Sequence, residues 1–217
     1  RSEQAVCVNR LVDTLLARGY FEAISYSFIP KEDQAIFSYG SDALTLQNPI
    51  SKELGVMRSS LLSGLLKVAK YNHAHQQFNL RLYEKGICFH FDQATEQVTE
   101  SMAIAGLICG QKEGLSWETK TEVDFFDLKG DLQAMLGSMS VLDDFHFKSR
   151  TQQEYLHPGM SANIYCGQEH IGVIGAIHPQ YCSKFDLKRV PLVFEIWPEK
   201  VNKTALIQAG LIGKFPQ

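Results

Sequence analysis

The chain has no long apolar run, no paired-cysteine pattern, no excess of one charge sign and no glycine-rich phosphate loop. Each absence narrows what it can be. A membrane-crossing helix needs roughly 18 or more consecutive apolar residues, and the longest runs here fall far short. The opening Arg1-Ser-Glu-Gln is polar, unlike the charged-then-apolar leader of a secreted protein. The cysteines (Cys7, Cys88, Cys109, Cys166 and Cys182) stand singly, which fits a reducing cytoplasm better than a disulfide framework. A net charge of −3 argues against a broad nucleic-acid grip and against DNA, although a local basic patch remains compatible. None of the sequences G-x-x-x-x-G-K-[ST], G-x-G-x-x-G or G-x-S-x-G occurs, so P-loop, dinucleotide and hydrolase-elbow chemistry lack their usual scaffold.

What is present is a regular alternation of elements. Residues 3–18 form an amphipathic pattern, with Ala5, Val8, Val12, Leu15 and Leu16 on one face, Ser2 as N-cap and Gly19 as C-cap. Tyr20–Phe28 reads as an aromatic-rich strand, Lys31–Ser38 as a short helix opened by Pro30, and Leu44–Leu46 as a short strand ended by Asn48-Pro49. Ser59 or Ser60 caps a helix through about Asn72, whose leucines face inward. Strands follow at Phe78–Phe91 and Met102–Cys109, then a loop carrying Trp117, then a helix capped by Asp124. The last third is strand-rich, over 145–148, 161–166, 171–177 and 192–197, with a short helix after His178-Pro179. Short connections favour antiparallel pairing, so the class is α+β: a mostly antiparallel sheet flanked by helices.

Few residues suggest chemistry. His73 and His75 are two apart at a helix end and do not share a face, so they read as solvated polar residues rather than metal ligands. His178 and Cys182 are four apart but lack further ligands; His178 reads as the end of a strand and the start of a helix. Asp124 reads as a cap and Asp127 as a first-turn acid favoured by the helix dipole, leaving Asp131 as an exposed acid near Lys129. Gly172 and Gly175 lie in a strand pattern, where glycine marks a bulge or a close backbone approach. His157-Pro158-Gly159 matches no phosphate-loop pattern. These residues argue against catalysis on this chain.

Taken together and in order, several segments resemble the β subunit of bacterial phenylalanyl-tRNA synthetase. They are Gly19-Tyr20 with Glu22; Ser25-Tyr26-Ser27-Phe28; Asn48-Pro49-Ile50-Ser51; Met57-Arg58-Ser59-Ser60-Leu61-Leu62 with Gly64-Leu65-Leu66; and Asn72. Tyr83-Glu84-Lys85-Gly86, Trp117, the run Val123 to Gly130, His157-Pro158-Gly159 with Ser161-Ala162, Ile171-Gly172 with Gly175, His178-Pro179 and Phe194-Glu195 complete the series. The resemblance covers about 190 residues. It implies a class II aminoacyl-tRNA synthetase-like fold, an antiparallel sheet flanked by helices, in a catalytically silent copy whose active site is carried by the α subunit.

By that resemblance, the 3–18 helix corresponds to the first class II motif, an interface builder, and Arg81–His90 to the second, with His90 near the position of the ATP-binding arginine. A largely neutral imidazole does not replace a guanidinium forked onto a phosphate. The third motif has no counterpart, since Ala-Ile-His-Pro follows Gly175. No catalytic, metal or cofactor-binding residue is therefore expected, with ATP and magnesium belonging to the complete enzyme. The structural or interface candidates are Val8, Val12, Leu15, Pro49, Arg58, Glu84, Gly86, Asp124, Lys129, Pro158, Gly159, His178 and Pro179. Arg58 is expected to brace a loop or a subunit contact.

The expected organisation is a core over 1–200 and a linker over 201–217 towards an anticodon-binding domain, as in a piece of a longer polypeptide. The expected partners are the α subunit and, in the full complex, tRNA(Phe), in the cytoplasm and with no membrane. Two alternatives stand beside this reading. Arg58, Arg81, Glu84 and His90 could converge on a nucleotide or an amino acid, or Lys67, Lys70 and Lys148 could touch tRNA directly.

Overall fold

A computed structural model describes residues 3–112, 121–139, 145–149 and 152–201, with the backbone alone for 3–7 and Lys52. The proposed N-cap Ser2, the Trp117 loop and the 202–217 part of the expected linker lie outside the described residues. No described helix is long and apolar enough to cross a membrane.

Helix α1 (Glu3–Ala17) ends as the sequence suggests. Gly19 adopts a positive φ of 79°, and Tyr20 N–H reaches back to Leu15 C=O while Gly19 N–H bonds Leu16 C=O. This double bond satisfies carbonyls that the helix end would otherwise leave orphaned. The aromatic segment after it is not one strand. It divides into β1 (Phe21–Glu22) and β2 (Phe28–Ile29) because Ser25 turns its N–H and hydroxyl onto the Glu84 carboxylate, taking the backbone out of the ladder.

Helix α2 (Lys31–Ile36) starts after Pro30. The expected strand at Leu44–Leu46 reduces to a single bridge between Thr45 and Val56 in β3 (Val56–Met57), which pairs with β2. Pro49 sits in the exposed stretch before a short 3-10 turn, Lys52–Leu54. Helix α3 (Leu62–Ala74) then leads into the long hairpin β4 (Leu80–Asp92) and β5 (Gln97–Cys109), whose second strand begins well before Met102.

Asp124 opens α4 (Phe125–Gly137) with a reciprocal cap: its carboxylate accepts from Phe126 and Asp127 N–H, while the Asp127 carboxylate accepts from Asp124 N–H. Strands β6 (Phe145–Ser149), β7 (Leu156–Cys166), β8 (Glu169–Ile177) and β9 (Leu192–Ile196) finish the sheet, with α5 (Pro179–Lys184) after β8. His178 Nδ1 accepts from Gln180 N–H and Pro179 takes the first helical position, as their order predicts.

The sheet runs β1-β4-β5-β9-β8-β7-β6, antiparallel throughout except for the β1–β4 pair. Alternation along the strands divides the core into two layers. One face packs Leu11, Val12 and Leu15 of α1 and Leu128, Leu132 and Met135 of α4 against Ile104, Ile108, Ile174 and Phe194. The other packs Leu61, Leu62, Leu65, Leu66 and Ala69 of the α3 region, with Phe37 and Phe185, against Leu82, Ala105, Leu107 and Val193.

Asp131, expected as an exposed acid, is instead buried at the first layer. It accepts from Arg18 (2.7 Å), from the Tyr20 hydroxyl (2.9 Å) and from Arg81, so one carboxylate ties the end of α1 and strand β4 to α4. Burial, and then the neighbouring Asp131 charge, push the Tyr20 phenol well above its ordinary pKa, which keeps it a neutral donor. Lys129 lies instead over the Phe147 ring, 4.8 Å from its centroid.

Removing a buried acceptor shared by cations costs more than removing an exposed cap. We expect Asp131→Ala to destabilise the fold by about 3 kcal/mol, leaving Arg18, Arg81 and Tyr20 unpaired. Asp124→Ala should cost about 1 kcal/mol. Chemical denaturation of the two variants checks the order, and equal losses would contradict it.

Candidate functional site

The sheet face under α3 carries the densest buried polar cluster among the described residues. Three strands supply its anchors: Glu84 and Gly86 from β4, Glu195 from β9, and Arg58 just after β3. Arg58 backbone N–H donates to Ser27 C=O, and its C=O accepts from Phe89 N–H, which holds the residue against β4.

The Arg58 side chain is almost fully buried. Nη1 donates to Glu84 Oε1 at 2.6 Å and to Ser25 Oγ at 3.1 Å, while Nε donates to Ile87 C=O at 3.1 Å. Gly86 makes this possible, because a Cβ there would run into Arg58 Nη2. Gly64 plays the same part in α3, where a Cβ would strike Ser25 Oγ. A buried charge pair is tolerable only when other donors and acceptors around it are engaged, and here Ser25 and the Ile87 carbonyl supply bonds to Arg58 Nη1 and Nε and to Glu84.

Beside this pair lies Glu195, a carboxylate with no exposed surface in an otherwise apolar strand. It accepts from the Leu61 N–H (2.7 Å), the Ser60 hydroxyl (2.9 Å) and the Tyr39 hydroxyl (2.6 Å), and Tyr39 in turn accepts from the Tyr155 hydroxyl (2.7 Å). Desolvation raises its pKa, opposed by bonds from Tyr39, Leu61 N–H and Ser60 and by the charge of Arg58.

The start of α3 therefore differs from the expectation. Neither serine caps it in the usual way: Leu61 is the N-cap, without a side-chain bond. Ser60 Oγ accepts from Leu62 N–H while donating to Glu195, and Ser59 donates its N–H to Gln34 Oε1 and its hydroxyl to Phe37 C=O. The Glu195 carboxyl from the sheet accepts the Leu61 N–H at the helix start, the place a cap side chain would otherwise take.

The four residues offered as a convergent ligand site do not converge. Arg58 and Glu84 pair with each other, but Arg81 lies on the opposite face, bound to Asp131. His90 bonds Ser101 Oγ at 3.1 Å, and burial, then Lys200, hold its imidazole below the ordinary range, so it is neutral near pH 7. The cleft beside it, about 350 Å³, is lined by Tyr39, Ser41, Asp42, His90, Asp92, Thr95, Gln97 and Thr99 among others, without a lysine or arginine.

The remaining candidates fall into structural places. Val12 and Leu15 are core residues, with Val8 packed at the rim. Pro158 and Gly159 lie where the β7–β8 register shifts between Leu156 and Ser161. Gly172 and Gly175 are close-approach positions, since a Cβ on either would strike the backbone of a neighbouring strand. Lys67 pairs with Asp33 at 2.8 Å on α3, far along the sheet order from Lys148 on β6, so the basic residues make no single patch.

His73, expected in solvent, is buried and accepts from Lys188 N–H through Nδ1, with Cys109 Sγ 3.7 Å from Nε2. Among the described residues no group of three or more His, Cys, Asp or Glu could hold a metal ion. Sequence patterns alone give no functional role to Glu195, Tyr39 or Asp131. A lone carboxylate within Leu-Val-Phe-Glu-Ile-Trp is the available signal, since a charge in a buried strand must have partners.

Breaking the buried pair leaves an uncompensated charge, so Glu84→Ala and Arg58→Leu should each cost about 3–5 kcal/mol, measured by chemical denaturation. Losses below about 1 kcal/mol would place the pair with ordinary surface bridges. For His73, desolvation lowers the folded-state pKa. The unfolded chain then binds more protons below the ordinary imidazole pKa of about 6.5, and the native state loses ground as pH falls through that value. The stability advantage of the parent over His73→Gln should therefore shrink between about pH 7 and pH 5. A gap independent of pH would contradict it.

Comparison with known proteins agrees with this geometry. Residues 1–197 match the family model described as the phenylalanyl tRNA synthetase beta chain CLM domain. The chain is 40% identical over 216 residues to the phenylalanine–tRNA ligase beta subunit of Yersinia pestis, and 41% identical over 217 residues to that of Vibrio cholerae. Each alignment covers 99% of this chain and 27% of the relative, so the chain spans about a quarter of those proteins' length. In fold it resembles the pyrrolysyl tRNA synthetase PylSc of Desulfitobacterium hafniense, with a TM-score of 0.70 at 13% identity over 97% of this chain and 70% of that one. The fold is thus class II synthetase-like, and the chain belongs to the phenylalanyl-tRNA synthetase beta chain family, as its CLM domain.

Proposed function

We propose that this chain is a catalytically silent synthetase core within a phenylalanine–tRNA ligase β subunit, supporting the αβ heterotetramer and through it the aminoacylation of tRNA(Phe). The observation that carries this reading is the self-filled sheet face. Arg58, the one arginine buried there among the described residues, is taken up by Glu84, and the adjoining cleft is acidic. Transition-state charge in adenylate formation needs preorganised cations, and the lining of this cleft includes no lysine or arginine. Lys200, whose charge reaches His90, is held over the Trp197 ring and donates to His170 C=O. ATP and magnesium chemistry is therefore assigned to the α subunit.

Support of a partner needs apolar surface. The apolar face of α1 is consumed internally at Val12 and Leu15, which moves the contact to the segment just after the helix. Phe21 is 72% exposed and Ile24 89%, on and just beyond the two-residue edge strand β1, and Leu16 is half-exposed nearby in sequence. Large apolar residues next to an open strand edge suit protein docking. The α subunit is the occupant that family membership supplies.

In the full-length β subunit co-expressed with α, Phe21→Glu combined with Ile24→Glu should reduce heterotetramer recovery on size exclusion by about ten-fold, with unchanged circular dichroism. Full recovery would sink the assembly role. The β subunit alone should show no phenylalanine-dependent ATP–pyrophosphate exchange and no saturable heat with ATP. Either signal would overturn the silent assignment.

A further inference from the structure

At the β6 end of the sheet, on the face opposite α1 and α4, rings line up across four successive strands. His146 of β6 stacks on Tyr165 of β7, with centroids 5.3 Å apart and planes 12° from parallel. Tyr165 meets His170 of β8 at 5.3 Å, and His170 meets Trp197, just after β9, at 5.4 Å. Two ammonium groups sit on this row: Lys148 Nζ lies 4.5 Å from the Tyr165 centroid and Lys200 Nζ 4.6 Å from that of Trp197. Neither lysine has an ion-pair partner among the described residues.

The alternation of the strands explains the placement. Phe145 and Phe147 of β6, and Ile164 and Cys166 of β7, point into the α1–α4 layer, which turns His146, Lys148 and Tyr165 to the other side. There Tyr165 and His170 belong to neither hydrophobic core and remain partly open, while His146 and Lys148 are exposed. Core packing accounts for Trp197, which is buried in the α3-side layer, but not for His146, Tyr165 and His170.

We propose that this face is a stacking platform for unpaired RNA nucleotides. Bases would lie on the open rings of His146 and Tyr165, and phosphates would meet Lys148 and Lys200. Aromatic rings on adjacent antiparallel strands, interleaved with cations, are the chemistry that reads single-stranded RNA without needing a wide basic surface. This accommodates the chain's net charge of −3, since two local lysines suffice to track a short backbone segment. The inference rests on the reading that the chain works within a tRNA ligase, and it makes unpaired tRNA nucleotides the ligand.

The test uses the complete αβ ligase, with tRNA affinity measured by filter binding over a range of salt, and assembly and ATP–pyrophosphate exchange measured alongside. Tyr165→Ala should weaken tRNA binding about five-fold or more, and Tyr165→Phe, which keeps the ring, should restore it. Lys148→Ala should lower the slope of log affinity against log salt by about one. His146→Ala, at an exposed position, should weaken binding without touching the fold. Assembly and exchange should be unchanged in all four. Unchanged tRNA affinity and slope overturn the platform while leaving the ligase reading intact. Loss of assembly in the same variants also overturns it and assigns the face to a protein contact. A parent complex that fails to bind tRNA defeats the ligase reading, and the platform with it.

Discussion

The arrangement of the α3 face depends on a carboxylate at the centre of the sheet. Glu195 has no contact with water, yet it sits where Leu61 N–H, Ser60, Tyr39 and, through Tyr39, Tyr155 all converge. A buried carboxyl so placed is costly unless its lone pairs are filled, and the N–H groups at the start of a helix are ready donors. The constraint acts in both directions. It docks α3 on the sheet at one position, and it brings Tyr39 and Tyr155, distant in sequence, to the same point. The Arg58–Glu84 pair beside it extends the same logic to the segment entering α3.

On the opposite face Asp131 does comparable work with a different outcome. It gathers Arg18, Tyr20 and Arg81, so the end of α1, the β4 strand and α4 share one acceptor. Each face of the sheet is thus closed by helices whose position is set by a buried acid, and the leucine-rich layers supply the bulk of the burial around them. Polar groups specify the arrangement, and apolar area stabilises it.

This closure is also what the proposal of a catalytically silent copy rests on. A catalytic sheet needs an open face with unpaired cations aimed at a phosphate. Here the arginine on that face is neutralised by Glu84, the neighbouring cleft is lined by Asp42 and Asp92, and the other arginine of β4, Arg81, is on the far side. What the surface does offer is apolar side chains beside the β1 edge and a row of rings at the β6 end, at opposite limits of the sheet. These two surfaces carry the proposed docking and stacking roles.

Much of this is legible in the amino-acid order, because local rules decide local structure. The amphipathic spacing of residues 3–18, the Gly19 stop, the Asp124 cap, the His178-Pro179 start and the alternating strands of the last third all follow from periodicity and capping chemistry. The ordered family motifs reach the class II-like fold without any contact being visible. The misreadings share one cause. Asp131 and His73 look solvated in sequence because one helix does not reveal what packs on it, and Ser59 and Ser60 look like caps because their true partners lie up to 135 residues away. Sequence alone determined the main helices, most of the strands and the family they compose, since those depend largely on neighbours within a few turns. The tertiary structure alone decided which charges are buried, which acid caps which helix and which face stays open, since these depend on partners that only the folded chain brings together.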